Sequence, residues 1–223
     1  SGQTCISVER IYAHENIYPQ LVENLSASLK KVKCGVGDTE VGSISVDVSL
    51  EKIKSQIKDA ESKGEVIRNG AVSEGWFIPP TLVVNPPADS KIMQEETFGP
   101  VITVHPFKTD DEVVKLANST GYGLSASVFG KNRKRIRRLS RRIHAGAVAV
   151  NDVLTHYGIA DLPFGGYGLS GIGKVHGKEG LRAFSRQKAY MQNRIQFGSE
   201  IWWYGQGDFF QGALRKLIRI FYS

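Results

Sequence analysis

The sequence is poor in sulfur and has no long apolar run. Its 223 residues include two cysteines, Cys5 and Cys34, and two methionines. Two cysteines are too few for a disulfide scaffold. With no C-x-x-C pair they also exclude a structural zinc site, so no metal is expected. Sparse cysteine makes a reducing, cytoplasmic compartment the default reading. Nowhere does the chain approach the ~18 consecutive apolar residues that a membrane-crossing helix needs. Its start has neither an apolar signal-type segment nor an initiator methionine, so it says little about targeting.

One segment lacks acid altogether, and that decides how the net charge of +7 is read. Lys131, Arg133, Lys134, Arg135, Arg137, Arg138, Arg141 and Arg142 fall within a dozen positions with no Asp or Glu among them. The rest of the chain is slightly acidic. Ile136, Leu139 and Ile143 recur at helical spacing, so the segment reads as an amphipathic helix with a solvated basic face. A phosphate- or membrane-binding role is the alternative. The face has no interleaved aromatics for stacking bases, so no nucleic-acid partner is expected.

What the sequence does contain alternates strand and helix. Arg10–His14 reads as a strand. Tyr18, Leu21, Val22, Leu25, Leu29 and Val32 mark one face of a helix that should end near Cys34-Gly35. Leu50, Ile53, Ile57 and Ala60 mark another, with Ser49 as its N-cap and Gly64 as its stop. "EVIRNG", "TLVVN", "VITVHPF", "LSASVFG" and "AGAVAVND" read as strands. Between them, Thr109 and Glu112 fit a capping box opening a helix. This repetition predicts an α/β fold with a mainly parallel sheet and helices on both faces. One catalytic-type domain is expected over residues 1–195. A tail of different composition follows over 196–223, carrying Trp202, Trp203, Phe209 and Phe210. Leu214, Leu217, Ile218 and Phe221 then line one helical face beside Arg215, Lys216 and Arg219.

Three stretches carry chemistry. In "SGQTCISVER", Cys5 is a nucleophile only as thiolate, and its neighbours in sequence offer no base. In "QEETFGPVITV", Glu96 and Phe98 sit on a loop at a strand mouth, and open α/β sheets bind ligands at strand ends. In "LPFGGYGLSGIGKVHG", Gly166 to Gly171 fits G-x-G-x-x-G. No strand immediately precedes it and no acid lies near position 190, so it is not a dinucleotide fingerprint. The glycines fit a tight loop bordering a pocket instead.

Taken in this order and spacing, the three stretches resemble the aldehyde dehydrogenases. "GQTC-x4-R" is similar to the family's nucleophile motif, with Arg10 at its usual distance. "EETFGPV" resembles its E-x-F-G-P motif, and "LPFGGYGLSGIG" follows where the family has it. The resemblance implies that Cys5 attacks an aldehyde to form a thiohemiacetal, and that NAD or NADP takes the hydride. Water would then release the acid from a thioester. It further implies that the Cys5 amide serves an oxyanion hole. Glu96 would bind the nicotinamide ribose, Phe98 would pack near the nicotinamide, and Phe164 would line the aldehyde tunnel. His176-Gly177 resembles members acting on medium-chain, fatty or aromatic aldehydes. A homo-oligomer, dimer or tetramer, is implied, with the tail in subunit contacts; the tail's apolar stripe beside basic residues also suits a peripheral membrane contact, and a disordered end is the third alternative.

The chain departs from the family pattern too. Gly42-Ser43 stands where Gly-Pro is usual. The family's general-base glutamate, a second oxyanion asparagine and the cofactor domain lie upstream of the position of Ser1. The 223 residues alone are therefore expected to be inactive. A non-catalytic, dehydrogenase-derived scaffold and a basic-helix nucleic-acid-binding protein are the rival readings.

Overall fold

The computed structural model describes residues 1–70, 75–195, 198 and 207–222. In chain order these form β1 (Arg10–His14), α1 (Tyr18–Leu29), α2 (Asp47–Lys63), β2 (Glu65–Arg68), β3 (Thr81–Val84), α3 (Lys91–Gln94) and β4 (Val101–Phe107). Then come α4 (Asp110–Ala117), β5 (Ser125–Val128), α5 (Arg133–Ser140), β6 (Ala147–Val150), α6 (Gly177–Ala183) and α7 (Asp208–Tyr222). Residues 1–185 make one unit and 186–223 another.

Parallel pairing dominates the first unit. A sheet of order β1-β4-β3-β2 pairs β1 with β4 and β4 with β3 in parallel, while β2 joins β3 antiparallel as the far edge. β5 and β6 pair only with each other, also in parallel, so the strands divide into two sheets.

Strand alternation explains why helices cover both faces of the larger sheet. Leu82 and Val104 point one way, into a cluster with Tyr18, Leu21, Val22, Leu25 and Leu29 of α1. Val83 and Val101 point the other way, against Leu50, Ile53, Ile57 and Ala60 of α2. Both strands are thus buried on both sides, which is why they read as unbroken apolar runs.

Helix ends follow the capping logic with two corrections. Thr109 Oγ1 accepts the Glu112 amide at 3.2 Å, and Glu112 Oε2 accepts the Lys108 amide at 2.8 Å. The carboxylate thus reaches back one residue beyond the cap. α1 stops at Leu29, short of Cys34, because the amides of Lys31 and Val32 fold back onto Ser28 and Leu29 in tight turns. α2 starts at Asp47 after an extended Val46, so Ser49 lies inside its first turn and caps nothing. Asp47 there places a negative charge at the positive end of the helix dipole.

In the second unit, α7 bears exposed Leu214, Leu217, Ile218 and Phe221. Trp202, Trp203 and the Phe209 side chain lie outside the described residues. No helix among the described residues is long and apolar enough to cross a membrane.

Candidate active site

Because β1 and β4 run parallel, the loops that precede them meet at the same edge of the sheet. One loop carries Cys5 and the other carries Glu96 and Phe98. This edge is formed by the amino ends of the strands. The general rule for open α/β sheets places ligands at carboxyl ends, so the expectation of a mouth of that kind is corrected here.

Several contacts lock the two loops together. The carboxylate of Glu9 accepts the Phe98 amide at 2.8 Å and the Thr97 amide at 3.0 and 3.1 Å. The Glu9 carbonyl takes the Thr103 amide at 2.8 Å, which begins the ladder between the strands. Burial pushes the Glu9 carboxyl above its ordinary value, against the pull of the two amides, and Glu96 pushes it the same way. Gly2 adopts φ +72, and a Cβ there would run into the Gly99 carbonyl. A Cβ on Gly99 would in turn meet the Ile53 side chain of the core. Both positions need glycine because two backbones approach more closely than a side chain permits.

A third segment supports the thiol loop from behind. Gln3 Nε2 donates to the Ser43 carbonyl at 3.1 Å, and Gln3 Oε1 accepts the Ser45 amide at 2.9 Å. Ser1 Oγ donates to the Gly42 carbonyl at 3.2 Å. Gly42-Ser43, where Gly-Pro is usual, therefore uses backbone carbonyls that proline would retain. Cys5 itself is an exposed free thiol. Among the described residues neither its sulfur nor its amide is engaged in a hydrogen bond, so both are open to an incoming group. Phe98 is half-buried in the left-handed region at φ +55, a conformation that costs a bulky residue and is held by the Glu9 clamp.

Arg10 leaves the same edge toward the smaller sheet, where its Nη2 donates to Thr120 Oγ1 at 3.1 Å. Beside it lies buried His105, its ring 5.6 Å from that of Tyr12. Burial, helped by the Arg10 charge, depresses the His105 pKa to about 4.

Phe164 belongs to a different cluster. Its ring centroid lies 4.9 Å from Tyr157, 5.8 Å from His176 and 6.4 Å from His156. Both ring nitrogens of His156, and Nδ1 of His176, are buried without a hydrogen-bond partner. His176 sits at φ +66, which turns its ring onto Phe164 and Tyr157. The glycines after Phe164 do pack closely: a Cβ on Gly146 would strike the Gly165 carbonyl, and the Tyr167 amide donates to Gly123 O at 2.9 Å. The loop thus folds against the amino ends of β5 and β6, and its G-x-G-x-x-G pattern opens no helix of the fingerprint kind.

Motif reading finds Cys5, Glu96 and Phe98 on joined loops. It misses Glu9 and Gln3, which build the junction, and the His156 and Tyr157 neighbours of Phe164. Glu9 carries no local signal, since its partners lie 88 and 89 residues away. Among the described residues no group of three or more His, Cys, Asp or Glu is arranged to hold a metal.

Comparison with known proteins agrees with the motifs. A curated relative, 4,4'-diapolycopene aldehyde oxidase of Methylomonas sp, is 35% identical over 207 residues, covering 92% of this chain and 39% of its own length. Aldehyde dehydrogenase citD of Monascus ruber is 38% identical over 197 residues, covering 84% of this chain and 39% of its own. Betaine aldehyde dehydrogenase of Staphylococcus aureus, solved in complex with NAD+, superposes with a TM-score of 0.75 at 34% identity over 82% of this chain and 38% of that one. This chain thus spans 39% of the length of these curated relatives. The model of the aldehyde dehydrogenase family matches residues 1–190, and on that match and those identities the chain belongs to the aldehyde dehydrogenase family.

Proposed function

We propose that the chain is the thiol-bearing catalytic portion of an NAD- or NADP-dependent aldehyde dehydrogenase, with Cys5 as nucleophile. The observation that carries this reading is the clamp of Glu9 on the Thr97 and Phe98 amides. It fixes the thiol loop against the loop of Glu96 and Phe98. The Cys5 thiolate adds to the aldehyde carbon, forming the C–S bond of a thiohemiacetal, and its amide hydrogen faces the oxygen as negative charge develops there.

The residues on the second loop fit a nicotinamide cofactor: Glu96 offers a partly exposed carboxylate to ribose hydroxyls, and Phe98 a half-buried ring held in one pose. A bound nicotinamide would supply the hydride acceptor, and loss of hydride from the thiohemiacetal carbon would leave a thioester on Cys5. Water then adds to the thioester, releasing the carboxylic acid and returning the thiol. Phe164, with Tyr157 and His176, presents an aromatic wall suited to the apolar chain of a medium-chain, fatty or aromatic aldehyde.

Among the described residues none bonds to Cys5 as a base, and the family's general base lies upstream of the position of Ser1; in this reading the 223 residues by themselves are inactive. Cys34 and Cys5 are free thiols, in keeping with a reducing cytoplasmic setting. The apolar stripe of α7 suits subunit contact in a dimer or tetramer. Peripheral membrane contact is the second reading, favoured by Arg215, Lys216 and Arg219 beside that stripe.

The decisive experiment replaces Cys5 with serine in the full-length protein that carries this chain. Octanal-dependent NAD(P)H formation should disappear, while cofactor binding, read by fluorescence, stays within a few-fold. Turnover at the wild-type rate in that variant would remove Cys5 as the nucleophile. A second arm incubates the 223-residue chain with octanal and cofactor. NAD(P)H formation above that of a Cys5→Ala chain would refute its inactivity.

A further inference from the structure

The basic segment is a helix with its cations sorted. In α5, Ile136 and Leu139 are buried and anchor one side against the fold, and Asn132 Oδ1 caps the start by accepting the Arg135 amide at 3.0 Å. Lys134, Arg137, Arg138, Arg141 and Arg142 line one open groove. Their spacing of i, i+3, i+4, i+7 and i+8 makes a continuous stripe along one face.

Like charges three and four residues apart repel and destabilise a helix. Acids from the start of α4 offset only part of this repulsion. Asp110 pairs with Arg138 at 2.6 Å and with Arg135, off the stripe, at 2.6 Å; Asp111 pairs with Arg142 at 2.7 Å. Lys134, Arg137 and Arg141 remain exposed, with no ion pair among the described residues. Packing uses Ile136 and Leu139 and leaves these three cations facing solvent.

We propose that this stripe is a docking surface for anionic lipid headgroups at a membrane. Charge complementarity defines the class of partner: closely spaced, solvent-facing cations match a dense layer of phosphate and carboxylate. A lipid surface is favoured over nucleic acid because the stripe has no aromatic platform for bases. The same chain also carries α7, whose apolar residues stand beside Arg215 and Lys216, the composition of a helix lying in a lipid interface. A cationic stripe is the electrostatic kind of membrane signal, and it does not require α7. The proposal does not depend on the catalytic reading, because none of the α5 cations belongs to the candidate active site.

The test uses the full chain and sedimentation with vesicles of phosphatidylcholine, with or without phosphatidylserine. Binding should be stronger to the phosphatidylserine vesicles and should fall as salt rises, because the attraction extends only over a Debye length. The triple variant Lys134→Gln, Arg137→Gln, Arg141→Gln should lose about a hundredfold in affinity for the anionic vesicles. Its binding to neutral vesicles should be unchanged. These three side chains have no ion pair to lose and repel their neighbours, so the variant should melt no lower than the parent. The charge-preserving set Lys134→Arg, Arg137→Lys, Arg141→Lys should keep vesicle binding. Equal binding to both vesicle types, or a triple variant that binds like the parent, would overturn the proposal. So would an RNA or DNA duplex that binds more tightly than the anionic vesicles and is released by the same three substitutions.

Discussion

Glu9 Oε1 and the Phe98 amide lie 2.8 Å apart across 89 residues of sequence, and through that bond the thiol loop holds the Phe98 loop in its left-handed turn. Removing the acceptor and neutralising it are therefore different experiments. Glu9→Ala strands the Thr97 and Phe98 amides and should cost about 1–3 kcal/mol. Glu9→Gln keeps an acceptor oxygen and should cost less than half as much. Burial raises the Glu9 carboxyl, so its contribution to stability is greatest below the ordinary carboxylate range. That contribution is lost as pH rises through the raised value. Urea midpoints across mildly acidic pH read both effects: the parent should show this slope and Glu9→Gln should lack it. An unchanged midpoint in Glu9→Ala would show that the clamp carries no energy.

His105 gives the opposite slope. Its pKa falls to about 4 from the ordinary 6.5 because the ring is buried beside Arg10, so the unfolded chain binds the proton more readily. The stability it protects is complete above the ordinary value and is lost as pH falls toward the depressed one. Between about pH 7 and about pH 5 the chain should lose roughly 2 kcal/mol through this group. His105→Phe, which keeps a ring against Tyr12, should flatten that part of the profile. If the two proteins lose stability in parallel over this range, another group is responsible.

Gly2 and Gly99 meet backbone to backbone. Gly2→Ala asks for a Cβ where the Gly99 carbonyl sits and for a left-handed φ that L-residues avoid. The loop must shift, and Cys5 with it. In the full-length protein the rate of aldehyde oxidation should drop by roughly a hundredfold, the usual penalty for a misplaced reacting group. Cofactor affinity should change much less, and a variant with the parent's turnover would mean that the thiol loop tolerates displacement.

Gln56 of α2 is fully buried, and both polar atoms of its side chain lack partners. Methionine has a similar length and no amide to desolvate. Gln56→Met should therefore stabilise the chain by about 1–2 kcal/mol, raising the urea midpoint without changing its slope. A lower midpoint would reveal that the amide is satisfied in solution.

The sequence shows these features unevenly. Strands β3 and β4 are legible as apolar runs, and the Thr109 cap as a four-residue pattern, because each depends on neighbours in the chain. Cys5, Glu96, Phe98 and Phe164 are legible through motifs. Glu9 is not, since an acid beside an arginine looks the same whether it faces solvent or two distant amides. The separation of β5 and β6 into their own sheet is equally hidden, as parallel strands show no sign of which neighbour they will choose. The ring contact of Phe164 with His176 goes with the positive φ of His176, which no propensity would assign to histidine.

Pairing β1 with β4 has a consequence in time. Arg10 lies opposite Thr103, and His14 opposite Phe107. β1 therefore has no ladder to join until the chain has been made through β4, and closing so long a loop is slow compared with forming α1 or α2. During synthesis Cys5 emerges well before the strand that fixes its loop, and the end of the sheet that carries it can form only once β4 has been made. The thiol loop thus takes its folded geometry only when β1 pairs with β4 and closes the larger sheet.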